Sequence, residues 1–217
     1  MEQSEKIAEH MSAYETVIIM ANLAGKSGAA LAPVVSSICK EQNKNVLSFA
    51  IMPFKFEKNR IFQSGISLKR LKMNSDSTII IDNDAILDSN PDFTTEKCYD
   101  VTNNAIKCLA TSIKSSSLTD DTNIMSTSRS TENIEDSVKD SIKMLYEDAP
   151  PNSIKRSMLY VYGADKIPVG VINSISNILG GIFDQENSQV DMSTSGNTNV
   201  VLLSAIAGET RFDKYDP

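Results

Sequence analysis

Four stretches of this sequence combine residue types that can hold an anion or a flat polar ring. The first is Ala21-Asn22-Leu23-Ala24-Gly25-Lys26-Ser27-Gly28-Ala29-Ala30, a run of small residues between an apolar strand pattern and a helical one. Small side chains let backbone N–H groups approach an anion, and a helix N-terminus favours negative charge. The same run also reads as a tight turn into a helix capped by Ser27; its spacing is not that of a Walker A loop. The second stretch is Phe54 to Arg60. Here Glu57 can accept from sugar hydroxyls and Arg60 can meet phosphate or a base, or the two form a solvated pair at a helix start. The third is Asp82-Asn83-Asp84-Ala85-Ile86-Leu87. Asn83 can offer a donor and an acceptor to a purine edge, or simply cap a helix. In the fourth, Tyr99 and Asn103 are four residues apart, side by side on one helical face. A ring beside an amide can stack on a base and bond its edge, with Asn104 as the adjacent candidate.

Other chemistries are less well served. The only histidine, His10, lies on a surface-type helix, which argues against a metal site and a Ser-His-Asp triad. Cys39, Cys98 and Cys108 have no metal-ligand spacing and read as reduced thiols. A net charge of −7 with scattered Lys and Arg argues against a nucleic-acid surface. The charged segment from Met1 to His10 is no secretory signal, and the longest apolar run, Val200 to Ala207, is too short to span a bilayer. A cytoplasmic location is expected.

The elements that would position the four stretches alternate helix and strand. Glu5 to Ala13 is amphipathic, Val17 to Met20 is a wholly apolar strand, and Ser27 to Gln42 is helical. Val46 to Met52 and Thr78 to Ile81 are further strands around a helix from Asn59 to Met73. This alternation predicts right-handed crossovers and a parallel sheet. Ligands bind outside the carboxyl ends of such strands, where three of the four stretches begin. A long helix is expected from Thr94 to Ser115. Ser115 to Thr131 is rich in Ser, Thr, Asn and Asp and reads as a loop or linker. Beyond it lie helices at Glu132 to Tyr146 and Pro168 to Phe183. Strands are expected at Met158 to Tyr162, Ser188 to Ser193 and Asn199 to Ala207, giving a small α+β unit with a mixed sheet.

Taken together, the four stretches resemble the tubulin/FtsZ superfamily of filament-forming GTPases. VIIMANLAGKSGAALAPVVS, Val17 to Ser36, is similar without gaps to the FtsZ strand, glycine-rich loop and helix. MPFKFEKNR resembles K-P-F-x-F-E-G-x-x-R with one residue deleted, and IDNDAILD resembles the tubulin segment V-D-N-E-A-I-Y-D. CYDVTNNAIKCLATSI lines up with the start of the family's central helix, and Ser157 to Gly208 follows the order of the FtsZ C-terminal domain.

The resemblance implies a truncated tubulin/FtsZ-type α/β fold. Residues 1–93 would be a partial nucleotide-binding half, 94–115 the central helix, 116–131 a polar linker and 132–217 a small α+β C-terminal domain. It implies that Asn83 and Asn103, with Asn104 as alternative, read guanine, and that Tyr99 stacks on the base. Glu57 and Arg60 would sit by ribose and phosphates; Gly25, Lys26, Ser27 and Gly28 would approach the phosphates. GTP or GDP, with Mg²⁺ accompanying the nucleotide, would be the ligand; no protein metal site is implied. The partner would be a second copy or a full-length FtsZ-like protein in a cell-division or cytoskeletal filament. The departures matter too. The chain opens at what resembles the last helix of the family's first third. Asn22, Ala24, Lys26, Ala29 and Ala30 replace family Gly or Thr. The acidic loop after the central helix keeps Asp120 and Asp121, the catalytic candidates, but not the family spacing. Hydrolysis is therefore expected to be weak or absent, unless a partner chain or preceding segment completes an active GTPase. A non-enzymatic interaction module is the third possibility.

Overall fold

The computed structural model describes residues 2–113, 122–128, 133–183, 186, 188–194 and 198–215. Helix α1 (Glu2–Met11) leads into strand β1 (Thr16–Asn22), followed by α2 (Lys26–Glu41), β2 (Asn45–Met52), α3 (Lys58–Asn74) and β3 (Ser77–Asp82). A short α4 (Asn83–Ser89) precedes the long α5 (Thr95–Ser112). Then come β4 (Thr122–Thr127), α6 (Ile134–Asp148), β5 (Ile154–Tyr162), α7 (Val169–Phe183), β6 (Ser188–Ser193) and β7 (Asn199–Ile206). A 3-10 turn spans Arg211–Tyr215.

The strands form one seven-stranded sheet in the order β1-β2-β3-β4-β7-β5-β6. β1 to β4 are parallel neighbours, β7 runs antiparallel to both β4 and β5, and β6 is parallel to β5. The expected parallel α/β sheet with flanking helices and a mixed last third is therefore present. Alternation along each strand sorts side chains onto two faces. One face, including Val17, Ile19, Ala50, Ile80, Ile124 and Leu202, packs under α2, α3, α6 and α7. On the other, Phe49, Ile79, Ile81 and Val201 pack under Ala105, Ile106 and Leu109 of α5.

The expected linker over 116–131 is corrected. Thr122–Thr127 is β4, buried over most of its length between β3 and β7. Its composition is that of a loop, but two of its polar side chains, Asn123 and Thr127, are met inside. Asn123 Nδ2 donates to Ser77 Oγ at 3.0 Å, and Thr127 Oγ1 donates to the Val200 carbonyl at 2.7 Å. A buried polar group with a partner costs little, so this strand tolerates what its sequence advertises as exposure. Asp120 and Asp121 lie outside the described residues.

The segment after β7 is fastened by a buried ion network. Arg211 pairs with Asp82 through Nη2 and with Asp148 through Nε at 3.0 Å, and lies 3.8 Å from Asp84. Asp82 also caps α4, accepting from the N–H groups of Asp84 and Ala85. Burial opposes the Arg211 charge, but the carboxylates of Asp82 and Asp148 outweigh it and hold its pKa above the ordinary value. Burial pushes Asp148 well above the carboxylate range, and the nearby Asp82 charge adds to this. Burial, then the charge of Asp82, raises Asp84 to about 6 against the N–H of Lys55 and the charge of Arg211.

Two outcomes follow. Arg211→Ala leaves buried carboxylates unpaired, and chemical unfolding is expected to show a loss of about 3–5 kcal/mol. The folded pKa of Asp84, about 6, lies above its ordinary 3.8, so its ionisation opposes folding. That penalty is full above pH 6 and fades as pH falls toward 3.8. Asp84→Asn, which keeps an acceptor for Lys55, is expected to raise the melting temperature at pH 7.5, with the gain vanishing near the acid end of that window.

Candidate functional site

The parallel strands β1, β2 and β3 end level with one another, Asn22 beside Ile51 and Met52 beside Asp82. Their following loops therefore share one rim of the sheet. After β1, Asn22 Oδ1 accepts from the Ala24 N–H at 2.9 Å and closes the turn. α2 begins at Lys26 with Gly25 as its N-cap, so Ser27 lies inside the helix and does not cap it. No side chain caps this helix and its first turn carries no acid, which leaves first-turn N–H groups open at the rim.

α3 holds this loop in place by its carbonyls. Arg60 Nη1 donates to Ala24 O at 2.7 Å, and Ser64 Oγ donates to Leu23 O at 2.8 Å. Pro33 inside α2 has no N–H for the carbonyl four residues earlier, that of Ala29. Ser67 Oγ of α3 donates to that carbonyl at 2.8 Å. Gly28 is needed for packing, since a Cβ there would sit 2.2 Å from the Asn22 carbonyl oxygen.

The second loop brings an acid, a base and aromatic rings together. Glu57 is the N-cap of α3; its Oε2 accepts from the Phe54 N–H at 3.2 Å and its Oε1 lies 3.4 Å from Arg60 Nη1. Phe54 and Phe56 stack with centroids 5.0 Å apart, and Tyr99 of α5 meets Phe54 edge-on at 5.5 Å. The Tyr99 phenol is pushed up by burial, then by the Glu57 charge, with Arg60 opposing. Glu57, Arg60 and Tyr99 are thus neighbours across two elements far apart in sequence. Phe56 stays 61% exposed, offering a flat face to solvent beside Glu57 and Arg60.

Asn83 is placed differently from its companions. It is 1% exposed at the start of α4, which is capped by Asp82 and not by Asn83. Its Nδ2 donates to the Met52 carbonyl at 3.2 Å, and its Oδ1 accepts from Thr102 Oγ1 at 3.0 Å. In this arrangement it ties the ends of β2 and β3 to α5. Asn103 and Asn104 are exposed on α5, within two turns of half-buried Tyr99. Lys26 and Ser27 are exposed at the start of α2.

Sequence reasoning missed Phe56 as an exposed ring on the rim, although its spacing from Phe54 carries the signal. It also missed the Thr102 hydroxyl that engages Asn83, and the Asp82–Arg211 pair. That pair joins residues 129 positions apart, and nothing local announces it. Among the described residues no group of His, Cys, Asp or Glu is arranged to hold a metal ion.

The contact between Gly28 and β1 gives a direct check on the first loop. Alanine improves helix propensity by about 1 kcal/mol, but the clash is with a backbone atom that cannot rotate away. Gly28→Ala is expected to destabilise by about 1–3 kcal/mol in denaturant titration, reversing the sign that propensity alone gives.

Residues 1–91 match the family model described as Tubulin/FtsZ family, GTPase domain. Cell division protein FtsZ 2 of Halobacterium salinarum is 34% identical over 95 residues, which are 44% of this chain and 24% of that relative. Cell division protein FtsZ of Aquifex aeolicus is 36% identical over 87 residues, 40% of this chain and 24% of the relative. The matches thus span about a quarter of these relatives' length. Among solved structures, an empty FtsZ dimer of M. jannaschii superposes with a TM-score of 0.73 at 20% identity, covering 95% of this chain and 67% of that one. CetZ2 from Haloferax volcanii, in a GTPgS-bound protofilament, superposes at 0.63 with 18% identity over 97% and 72% of the two chains. Residues 1–91 are therefore similar to the Tubulin/FtsZ GTPase domain, and the fold along nearly the whole chain is the one seen in the FtsZ and CetZ structures.

Proposed function

We propose that the chain is a divergent FtsZ/tubulin-like protein that binds guanine nucleotides at the rim of β1, β2 and β3, and that it belongs to or modulates a cytoplasmic cytoskeletal or cell-division filament. One observation carries this reading: an uncapped helix N-terminus at Gly25–Lys26 shares its rim with two rings packed against buried Phe54, the exposed Phe56 and the half-buried Tyr99. The first suits phosphate and the second suits a base. Lys26, Ser27 and Gly28 would meet phosphate, with Mg²⁺ accompanying the nucleotide. Glu57 and Arg60 would face the ribose and phosphates. Tyr99, Asn103 and Asn104 would form the base side.

The reading includes weak binding and little turnover. Each charge-assisted hydrogen bond to phosphate contributes about 1.5–3 kcal/mol, and one helix N-terminus supplies few of them. Asn83 can join the base side only by releasing Thr102 or the Met52 carbonyl, which takes affinity away. That engagement favours a second reading, in which the chain is a non-enzymatic interaction module and the old base pocket is core. Its partner in either case is a second copy or a full-length FtsZ-like protein.

Titration calorimetry with GDP and GTP separates the two. The expected dissociation constants are on the order of micromolar or weaker, within a few-fold of each other. Tyr99→Ala is expected to weaken binding about tenfold, the loss of a stacking face, and phosphate release from GTP stays at background at every protein concentration. No heat with either nucleotide leaves the interaction-module reading. Sub-micromolar GTP binding, with turnover that rises with protein concentration, overturns the weak-binding reading.

A further inference from the structure

Asn83 stands at the rim but is turned away from it. It opens α4 directly after Asp82, which ends β3 beside Met52 of β2. Its backbone is held there, because Asp82 accepts from the N–H groups of Asp84 and Ala85. The residue is buried, and both ends of its amide are engaged. Nδ2 donates to the Met52 carbonyl at 3.2 Å, and Oδ1 accepts from Thr102 Oγ1 at 3.0 Å.

These two partners fix the amide. The Met52 carbonyl can only accept, so the atom facing it must be Nδ2 and the atom facing Thr102 must be Oδ1. That oxygen in turn requires the Thr102 hydroxyl to donate, and a hydroxyl has a single proton to give. Thr102 is itself fully buried, one position before the exposed Asn103 and Asn104 on α5. A Thr hydroxyl within a helix ordinarily bonds a carbonyl of the preceding turn, whereas this one crosses to α4. Both contacts are buried and join residues between Met52 and Thr102.

We propose that Thr102 is a selectivity lock: its hydroxyl holds the Asn83 amide away from the rim, so that a bound purine nucleotide is read with only a weak preference for guanine over adenine. This rests on the nucleotide reading given above and adds the base selectivity of that site. Guanine presents its N1–H and the neighbouring exocyclic amino group as adjacent donors, which need an acceptor such as Asn83 Oδ1. Adenine has an unprotonated N1 and no amino group beside it. With Oδ1 committed to Thr102, the exposed Asn103 and Asn104 are left to favour guanine. A state in which Asn83 reads the base requires its side chain to leave Thr102 and Met52. The apparent affinity for guanine is reduced by the fraction of molecules in that state. Thr102 acts through Asn83 and is a positioning residue.

Thr102→Val removes the hydroxyl and keeps the shape of the side chain. Oδ1 then lacks its buried donor, which favours the outward side chain. Calorimetric titration of the full chain with GDP and ADP is expected to show GDP binding tightened about tenfold by this substitution, the effect of one hydrogen bond, with ADP binding unchanged. Thr102→Ser keeps the hydroxyl and is expected to behave as the unsubstituted chain. Asn83→Ala added to Thr102→Val is expected to cancel the gain. Without nucleotide, NMR is expected to show faster exchange of the Asn83 side-chain amide protons in Thr102→Val. If that variant does not fold, Thr102→Ala serves instead. Equal tightening of GDP and ADP overturns the proposal, as does a Thr102→Val chain that binds both as the unsubstituted chain does. No binding of either nucleotide by any of these chains overturns the nucleotide reading and the selectivity with it, while amide exchange still decides whether Thr102 holds Asn83.

Discussion

Arg211 is one cation shared among the buried carboxylates of Asp82, Asp84 and Asp148, and the architecture around the rim depends on that sharing. Asp82 ends β3 and caps α4, Asp148 ends α6, and Arg211 belongs to the segment after the last strand. A central strand, a helix from the second half and the chain's final turn therefore meet at one guanidinium. The charges do not balance: burial first, and the charge of Asp82 second, raise the pKa values of Asp84 and Asp148. Lys55 shares the load, its N–H donating to Asp84 Oδ2 at 2.6 Å while its ammonium pairs with Asp88. The loop that carries Glu57 is thus anchored to the same network. Phe212, beside Arg211, is buried in the main core, so the ionic fastening and the apolar one act on the same turn.

The rim itself is organised by hydrogen bonds to carbonyls. Three side chains of α3, Arg60, Ser64 and Ser67, each take a carbonyl of the β1–α2 connection or of α2 itself. This leaves N–H groups, and not carbonyls, as the open backbone polarity at the start of α2. An anion site needs that asymmetry. Asn83 and Thr102 fix the other side of the rim in the same manner, by joining strand ends to α5.

The alternating first half was legible in the sequence because its strands are continuous apolar runs and its helices show clean periodicity. Val17 to Met20, Val46 to Met52 and Thr78 to Ile81 all fall within observed strands. β4 was not legible. Thr122-Asn123-Ile124-Met125-Ser126-Thr127 has only Ile124 and Met125 as apolar residues, and its burial depends on partners in β3 and β7 that no local window contains. The rim residues were legible as a set because each follows a strand. Their partners were not: whether Asn83 faces outward or into the protein is decided by Thr102, 19 residues away. The resemblance to a known superfamily named the positions, while the hydrogen bonds of this chain decide how each one is occupied.

The placement of β7 governs the order in which the molecule can assemble. It lies between β4 and β5, so these two strands, which frame α6 in sequence, touch only through a strand made some forty residues later. During synthesis β1 to β4 can form a parallel sheet, and β5, α7 and β6 a second nucleus, but the two cannot close over one core. Until Asn199–Ile206 leaves the ribosome, β4 and β5 each present an unpaired edge. Long-range closure of this kind is slow, and exposed edges invite capture by other chains. The nascent protein thus passes through a stage in which its centre, and not its periphery, is the part most in need of a chaperone.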